Sequence, residues 1–380
     1  MTDAPLKTLY IDTGVGLAGG QTSLIETLKH LDTNRFQPVV ASPEESRLRL
    51  KCRELGVSWL PLPTKSVHLS ARRGSPTVAA VRDLISSLYA VGYLAVKIRT
   101  NGIAIVHANT FKGALVAGGA CLITRRPMIF HDRTNIAHGA LGRVVAFMAS
   151  RIIVVSKAAG SKYGPRAARK LRLVYDGIDI DHFVPVGEAA SGMTVGFLGR
   201  ISEEKGLMSL VECAGSILAS VPSARFLVGG EPFTPADASY LESVKVRILD
   251  LGLKDKFEFL GHVDDVRTLF GRIRVLTLPS KNEALGLVVL EAMAMQKPVV
   301  AFDIEGPREI ISSNVDGVLV APGDLTGFSD AVITLLRDEK LARCMGERGR
   351  VTVASKFSSV DSARRIGEVY REICRRLGES

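Results

Sequence analysis

The sequence has few cysteines, few aromatic residues and no long hydrophobic run. Its five cysteines are scattered, which argues against a disulfide framework or a zinc ribbon and favours a reducing compartment. The longest nearly apolar run, residues 84–96, is too short to cross a bilayer. The first residues lack a basic start before an apolar core, so we expect no secretory leader. These absences favour a cytoplasmic protein with no membrane-spanning segment.

The length and composition are those of an ordinary globular protein. A chain of 380 residues is long enough for two domains, each with its own core. Hydrophobic residues make up 46% of it and charged residues 23%, a balance that excludes wholesale disorder.

Positive charge is concentrated in one part of the chain. Residues 46–173 contain 22 Lys and Arg but only three acids, a net charge of +19, whereas the whole chain carries +10. The remainder is therefore mildly acidic, at −9. Such asymmetry predicts that the basic part faces a polyanion, which could be nucleic acid, an anionic membrane or an anionic substrate. A solvated basic surface without a partner is the alternative.

Apolar strand-like segments alternate with amphipathic helical segments along the chain. The strand-like segments are KTLYID, FQPVVAS, IAIVHAN, PMIFHD, RIIVVS, TVGFLG, ARFLVGG, KFEFLG, RIRVLTL, KPVVAF and DGVLVAP. This alternation predicts α/β domains with parallel sheets. Periodicity fails at residues 173–193, which we interpret as the connection between domains. We expect a first domain at 1–178, a second at 179–357, and a C-terminal helix at 358–380 that packs back on the first.

The first loop carries a glycine fingerprint. Gly14 to Gly19 form a G-x-G-x-x-G pattern between a strand and a helix, and two acids, Glu44 and Glu45, follow the next strand. The pattern permits a dinucleotide site. The backbone amides of Gly19 and Gly20 at the helix start would alternatively bind an anion, or the glycines only form a tight turn.

Two features of the second half point to an anionic ligand. Arg200 and Lys205 follow a strand on a loop, where two cations can grip a diphosphate. Glu283 and Glu291 stand eight positions apart in an otherwise apolar segment. Buried carboxylates need a partner, so either solvent or a bound ligand satisfies them.

These motifs, in this order, resemble a known family. The segments GLAGGQ, IVHAN, IFHD, VYDGIDIDHFVP, GRISEEKG, FLGHVDD and the two spaced glutamates resemble the retaining, nucleotide-sugar-dependent glycosyltransferases of the GT-B fold. That family includes phosphatidylinositol mannosyltransferases, sucrose-phosphate synthases and lipopolysaccharide-core transferases. The resemblance implies two Rossmann-like parallel-sheet domains facing a central cleft, with the acceptor bound by the first domain and the nucleotide-sugar donor by the second.

The resemblance also implies residue roles. Glu291 matches the glutamate that binds the ribose hydroxyls, and Glu283 the one directed at the donor sugar. Arg200 and Lys205 match the pair that neutralises the leaving diphosphate. The other matched residues are His131 beside the donor sugar, Gly19 and Gly20 beneath the phosphates, Leu285, Gly286 and Leu287 with amides toward the diphosphate, and Gly261 and Val263 at the base. His107 is interpreted as a satisfied histidine at the end of the sheet.

The implied reaction transfers a sugar from a nucleoside diphosphate, by default UDP, to an acceptor hydroxyl with retention of configuration. The leaving diphosphate takes the acceptor proton, so no enzymic nucleophile is needed. We expect no cofactor and no required metal, because Asp179 and Asp181 have a suitable spacing but lie in the connection. Two positions depart from the family pattern: Ala284-Leu285 replaces Gly-Phe beside the donor sugar, and Asp176 replaces an Asn, a change we expect to be harmless.

Three other classes compete with this interpretation. A nicotinamide-dependent oxidoreductase would use the glycine fingerprint but leaves Arg200, Lys205, Glu283 and Glu291 unexplained. A sugar-nucleotide epimerase of the same architecture would need no acceptor. A nucleic-acid binder would use the basic half, but that half has neither aromatic interleaving nor a recognisable module, so we expect no nucleic-acid partner.

The basic half suggests a membrane partner. We expect a lipid-linked or cell-envelope glycan acceptor and peripheral binding at the anionic inner face of the cytoplasmic membrane. The expected cations are those of residues 47–53, Arg72, Arg73 and residues 157–172. The apolar residues expected to insert are Trp59, Leu60, Val67 and Leu69. The helix at 76–99 is expected to cover the sheet rather than to anchor the protein.

Overall fold

A computed structural model describes residues 4–63, 76–185 and 192–378 of the chain, which fall into two compact units. The first comprises residues 1–177 together with 359–380, and the second comprises residues 178–358. Four of the residues expected at the membrane, Val67, Leu69, Arg72 and Arg73, lie outside the described ranges.

The first unit contains a sheet of seven strands with the spatial order β3-β2-β1-β4-β5-β6-β7. The strands are β1 (Leu6–Ile11), β2 (Phe36–Ser42), β3 (Ser58–Pro61), β4 (Ile105–Ala108), β5 (Met128–Asp132), β6 (Arg151–Val154) and β7 (Leu171–Leu173). The helices that connect them are α1 (Gly19–His30), α2 (Leu48–Glu54), α3 (Pro76–Thr100), α4 (Phe111–Thr124), α5 (Gly139–Met148), α6 (Lys157–Ser161) and α7 (Pro165–Ala168).

The second unit repeats this plan with six strands in the order β10-β9-β8-β11-β12-β13. The strands are β8 (Thr194–Leu198), β9 (Arg225–Gly229), β10 (Phe257–Gly261), β11 (Val275–Leu278), β12 (Val299–Phe302) and β13 (Val318–Val320). The helices are α8 (Leu207–Ser220), α9 (Pro235–Asp250), α10 (Val266–Arg272), α11 (Leu287–Ala294), α12 (Glu305–Ile310), α13 (Leu325–Arg337) and α14 (Glu339–Lys356).

The strand pairings in both sheets are parallel, which confirms the expected fold class. The central strands are almost wholly buried, as expected for sheets covered by helices on both faces. β3 and β7, which the periodicity did not predict, are short, only partly buried strands at the two edges of the first sheet.

Each sheet reverses its strand order at one point. In the first unit the reversal lies between β1 and β4, and in the second between β8 and β11. In open parallel sheets, ligands bind at the carboxyl ends of the strands beside such a switch point. The loops after β1, β4, β8 and β11 are therefore the places where function is expected.

The last helix, α15 (Ser359–Leu377), packs against α1 and completes the core of the first unit. Its buried residues Ile366, Tyr370 and Ile373 join the cluster formed by Tyr10 of β1 and Val40 of β2. On its other side, Glu372 accepts hydrogen bonds from Arg151 at 2.7 Å and from Arg172 Nε at 2.9 Å. These bonds, first from Arg151 and then from Arg172, lower the pKa of Glu372 from its ordinary value of 4.5 to about 2.

We predict that Glu372→Gln lowers the stability of the protein at neutral pH but not in acid. Because the folded-state pKa is depressed, the ionised carboxylate stabilises the fold fully above about pH 4.5 and progressively less as the pH falls toward 2. Since the carboxylate is partly exposed, we expect a loss of only about 1 kcal/mol at pH 7. Thermal melting across this pH range checks the prediction. Glu368→Gln on the same helix, which removes an exposed pair with Arg364, is the control. A stability loss that does not change with pH would contradict it.

Candidate functional site

The site of the second unit begins where the loops after β8 and β11 touch. Gly206 ends the β8 loop with a φ of +73°, and a Cβ added to it would lie 1.9 Å from the Pro279 carbonyl oxygen in the β11 loop. A side chain is therefore excluded at this position on grounds of both conformation and space. The contact of the two backbones brings the short 3-10 helix Glu203–Lys205 to the switch point.

Lys205 and Glu283 form an ion pair across this switch point. The Lys205 ammonium lies 2.5 Å from Glu283 Oε2, and the two side chains are 24% and 14% exposed. The resemblance assigns Lys205 to a diphosphate and Glu283 to a sugar, and the structure places both at one point. An ammonium has three N–H donors, so Lys205 can keep Glu283 and still bind an anion.

The other cation of this loop is more exposed. Arg200 Nη2 donates to Glu204 Oε2 at 3.0 Å, and the two side chains are 35% and 58% exposed. Lys281, on the facing loop, makes a similar exposed pair with Glu203 at 2.8 Å. Such surface pairs contribute little to stability, so Arg200 can exchange Glu204 for a ligand at low cost.

The helix α11 presents its N-terminus to the same edge of the sheet. Its cap, Gly286, has a φ of +104°, and the preceding Leu285 is buried. Gly306 packs so closely behind this turn that a Cβ there would lie 2.5 Å from the Leu285 carbonyl oxygen. The first amides of a helix have no intrahelical acceptor, so those beginning at Leu287 form a binding site for anionic groups.

Glu291 lies one turn further along α11 and is half-buried. The nearby candidate for a protein partner in the sequence is Lys297. The pKa of Lys297 is lowered, first by burial and then by the charge of Arg274.

Glycines form the floor beside these groups. Gly199, Gly230 and Gly261 follow or end the adjacent strands β8, β9 and β10, and all three have positive φ angles. The Gly230 amide donates to the Gly261 carbonyl at 2.8 Å, and a Cβ on Gly230 would lie 1.8 Å from the Gly199 oxygen. Val263 packs against Gly229, where an added Cβ would lie 3.0 Å from Val263 Cγ2. The half-buried backbone of these glycines, at the ends of β8, β9 and β10, includes Gly261, which the resemblance assigns to the base.

In the first unit, the loop after β1 is held by Asp12 rather than by its glycines. The buried Asp12 accepts hydrogen bonds from the Gly14 amide at 2.7 Å, from Gln21 Nε2 at 2.9 Å and from Asn109 Nδ2 at 2.5 Å. Asn109 also donates to the carbonyl of Gly20, at 3.2 Å. Asp12 and Asn109 follow β1 and β4, so this contact bridges the switch point of the first sheet.

His131 lies inside a line of buried polar groups. Its Nδ1 is 3.2 Å from His107 Nε2, and His107 Nδ1 is 2.7 Å from the hydroxyl of Tyr370, which donates to Tyr10 at 2.8 Å. Burial lowers the pKa of His107 to about 3 and, together with the charges of Arg133 and His107, lowers that of His131 well below 6.5. Both rings are therefore neutral at physiological pH.

Asp176, expected to be harmless, takes part in this network. The Arg133 Nε atom lies 3.1 Å from both of its carboxylate oxygens, and His131 Nε2 lies 3.8 Å from one of them. A second nitrogen of Arg133 donates to Asn109. The carboxylate of Asp176 thus binds Arg133, and an Asn at this position could not supply the charge of that contact.

Several of these residues were not predicted from the sequence. They are Asp12, Asn109, Arg133, Gly199, Gly230 and Tyr370. Five of them directly follow strands, a position that could have marked them, whereas Tyr370 gave no signal because it reaches the site from the far end of the chain.

Asp179, considered as a metal ligand, accepts hydrogen bonds from the backbone amides of Asp181 and His182 at 3.0 and 3.1 Å.

No helix within the described ranges combines the length and the apolarity needed to cross a membrane.

Two family models match consecutive parts of the chain. Residues 17–182 match Glycosyltransferase Family 4, and residues 182–352 match Glycosyl transferases group 1. Together the two models extend over both units.

Curated relatives agree with these matches. The chain is 30% identical to the lipopolysaccharide core biosynthesis mannosyltransferase LpcC of Rhizobium leguminosarum bv. viciae, over 53% of this chain and 59% of that protein. It is 34% identical to N-acetyl-alpha-D-glucosaminyl L-malate synthase of Bacillus anthracis, over 47% of this chain and 45% of that protein. The chain thus matches about half the length of these relatives.

Solved structures share the fold at low identity. HepE of Anabaena, solved with UDP and glucose, superposes with a TM-score of 0.82 at 21% identity, covering 96% of this chain and 99% of that one. Sucrose-phosphate synthase of Thermosynechococcus elongatus superposes with a TM-score of 0.78 at 20% identity, covering 97% and 99%. The two family matches extend together over residues 17–352, and the two parallel sheets agree with the fold of these solved structures. The chain therefore belongs to the glycosyltransferases of the GT-B fold.

Proposed function

We propose that the protein is a retaining glycosyltransferase that moves a sugar from a UDP-sugar to a hydroxyl of a lipid-linked or cell-envelope glycan. The observation that carries the proposal is the Lys205–Glu283 pair, which lies at the β8/β11 switch point beside the N-terminus of α11. A cation, a carboxylate and helix amides at one sheet edge match the needs of a diphosphate joined to a sugar.

The leaving group determines the chemistry. As the bond from the anomeric carbon to the diphosphate breaks, negative charge grows on the diphosphate, and Lys205, Arg200 and the α11 amides stabilise it. Glu283, held by Lys205, is directed at the sugar. The acceptor hydroxyl attacks the anomeric carbon on the same face from which the diphosphate leaves, and the proton of that hydroxyl passes to the diphosphate. The configuration is therefore retained, and no enzymic nucleophile is required.

Glu291, Gly261 and Val263 complete the proposed donor site of the second unit. Glu291 accepts from the ribose hydroxyls, and the backbone surface around Gly261 receives the base. In the first unit, Gly19, Gly20 and His131 remain proposed donor-binding residues. The neutral state of His131 suits a hydrogen bond to the sugar, not proton transfer. His131 is buried in this structure, with the whole residue 1% exposed, so contact with a sugar would require its surroundings to open.

The acceptor class and the UDP donor are proposed by similarity. Relatives include a lipopolysaccharide core mannosyltransferase and a capsular polysaccharide glycosyltransferase, and solved neighbours were obtained with UDP. The basic first half would face an anionic membrane at its cytoplasmic side.

The proposed reaction uses neither a metal nor a cofactor. The dinucleotide alternative is weakened because Gln21 fills the space beside Gly14, where an added Cβ would lie 2.3 Å from its Nε2.

The proposed reaction is tested by nucleoside diphosphate release from a panel of sugar nucleotides, with and without a lipid-linked glycan fraction as acceptor. We expect release that depends on one UDP-sugar and on the acceptor fraction, and a product whose anomeric configuration by NMR equals that of the donor. Conversion of the donor alone into another sugar nucleotide would support an epimerase instead.

We predict that Lys205→Ala lowers turnover in this assay by about 10²–10³-fold, the usual effect of removing one group that stabilises transition-state charge. Lys281→Ala is the matched control, since Lys281 lies on the facing loop but pairs with the exposed Glu203. Turnover of the control should stay near that of the wild type. Equal losses in the two variants would remove Lys205 from the mechanism.

We predict that Glu291→Gln weakens UDP binding while the protein remains folded. Loss of the ionised acceptor for the ribose hydroxyls should cost about 1.5–3 kcal/mol, which is about ten- to hundredfold in Kd. Isothermal calorimetry measures this, with the exposed Glu242→Gln as the control. An unchanged affinity would show that Glu291 does not contact the nucleotide.

A further inference from the structure

The outward faces of three neighbouring helices in the first unit are apolar. Their inward faces pack into the core through residues such as Leu94 of α3, Ala117 of α4 and Val145 of α5. Their outward faces also carry large hydrophobic side chains, which are exposed. These are Leu88, Tyr89 and Val96 on α3, Leu122 and Ile123 on α4, and Leu141, Val144 and Phe147 on α5. We call this set the α3–α5 face.

The three helices form one surface with α4 at its centre. At Gly118 of α4, an added Cβ would lie 2.4 Å from Met148 Cε of α5, and at Gly119 it would lie 3.1 Å from Val91 of α3. The two adjacent glycines thus let both neighbours approach α4 closely, so the three helices lie side by side.

The charge on the part of this face whose side chains are described, from residue 86 onward, has one sign. The sequence contains no Asp or Glu from residue 84 to 131, and none from 133 to 175. The one acid between these stretches, Asp132, is buried and paired with Lys162 at 2.7 Å. Arg99, Arg125, Arg126 and Arg143 are exposed on or beside the three helices. Any partner of this face therefore meets apolar side chains and guanidinium groups but no exposed carboxylate from these stretches.

We propose that the α3–α5 face docks on an anionic lipid bilayer. Soluble proteins rarely expose contiguous apolar patches of this kind without a partner. A bilayer offers both complements at once: acyl chains for Phe147, Leu122 and Val96, and anionic head groups for the arginines. Nucleic acid would satisfy only the charges.

This assignment replaces the residues expected from sequence at the membrane. Trp59 and Leu60 are half-buried, and Trp59 is fixed, with its indole nitrogen donating to Ser42 at 2.9 Å and the Arg49 guanidinium 5.1 Å from its ring centre. The helix at 76–99 was expected only to cover the sheet. α3 does cover the sheet with its inner face, but its outer face is apolar and exposed.

The α3–α5 face also reaches the substrate edge of the first sheet. α4 starts directly after Thr110, whose hydroxyl lies 2.9 Å from that of Thr13 at the switch point. The ring of His138, which precedes α5, stacks on Phe111 at 3.5 Å between centroids, and the exposed Ile136 and Leu141 lie at the same end. A docked protein would thus hold this edge near the bilayer surface. This part rests on the proposed function, since it supposes a lipid-linked acceptor.

Vesicle flotation of the full chain tests the docking. The wild type should float with phosphatidylcholine vesicles that contain phosphatidylglycerol, but not with phosphatidylcholine alone. Binding should weaken with salt, because the attraction is screened within about 10 Å at 0.1 M. We expect the fraction of protein bound to vesicles to be about tenfold lower, or lower still, for the double variant Leu122→Asp/Phe147→Asp than for the wild type. Val351→Asp, a similarly exposed apolar position in the second unit, should bind like the wild type.

Three results would overturn the proposal. The first is wild-type protein that does not bind anionic vesicles at low salt, and the second is a double variant that floats as well as the wild type. The third is a wild-type dimer, detected by light scattering, that is absent in the double variant. The last would assign the face to a second copy of the chain. A circular dichroism spectrum and a melting temperature like those of the wild type show that the double variant is folded. Failed flotation with normal UDP release would reject the docking alone, whereas flotation without UDP release would reject the proposed function alone.

Discussion

The ion pair between Lys205 and Glu283 is the contact on which the candidate donor site depends. It joins the loops after β8 and β11, the two strands between which the second sheet reverses its order. The backbone contact of Gly206 with Pro279 makes the pair possible, since any side chain at Gly206 would separate the loops. Arg200, the α11 N-terminus and Glu291 are all positioned from these two loops. A small geometric constraint thus collects cations, amides and carboxylates at one sheet edge.

The first unit joins its own switch point by different chemistry. Asp12 and Asn109 hydrogen-bond across it, and Arg133 connects Asn109 to Asp176. Beside them the buried rings of His131, His107 and Tyr370 are joined by hydrogen bonds that satisfy both nitrogens of His107 and Nδ1 of His131. The other nitrogen of His131, Nε2, has no hydrogen-bond partner among the described residues and lies 3.8 Å from Asp176. Because Tyr370 belongs to α15, the last helix contributes to the order of this edge as well as to the core.

The sequence predicted the parts of the structure that depend on local pattern. Alternation of apolar strands and amphipathic helices predicted the parallel sheets, and the glutamate spacing located the β11 loop and α11. Contacts between distant loops could not be predicted in this way: nothing near Lys205 in the sequence shows that Glu283 will be its partner. The contact of Asp176 with Arg133 was not predicted for the same reason, since the two residues meet only in the fold. The outward apolar face of α3–α5 was missed because hydrophobic periodicity does not reveal which apolar side chains remain uncovered.

The central claim is that the β8/β11 switch point binds the diphosphate of a nucleotide sugar. A crystal structure of the protein with UDP tests it most directly. The account predicts that the diphosphate lies against the N-terminus of α11, that Lys205 Nζ is within hydrogen-bonding distance of one of its oxygens, and that Glu291 contacts the ribose. UDP bound at another place, with the Lys205–Glu283 pair untouched by phosphate, would contradict it.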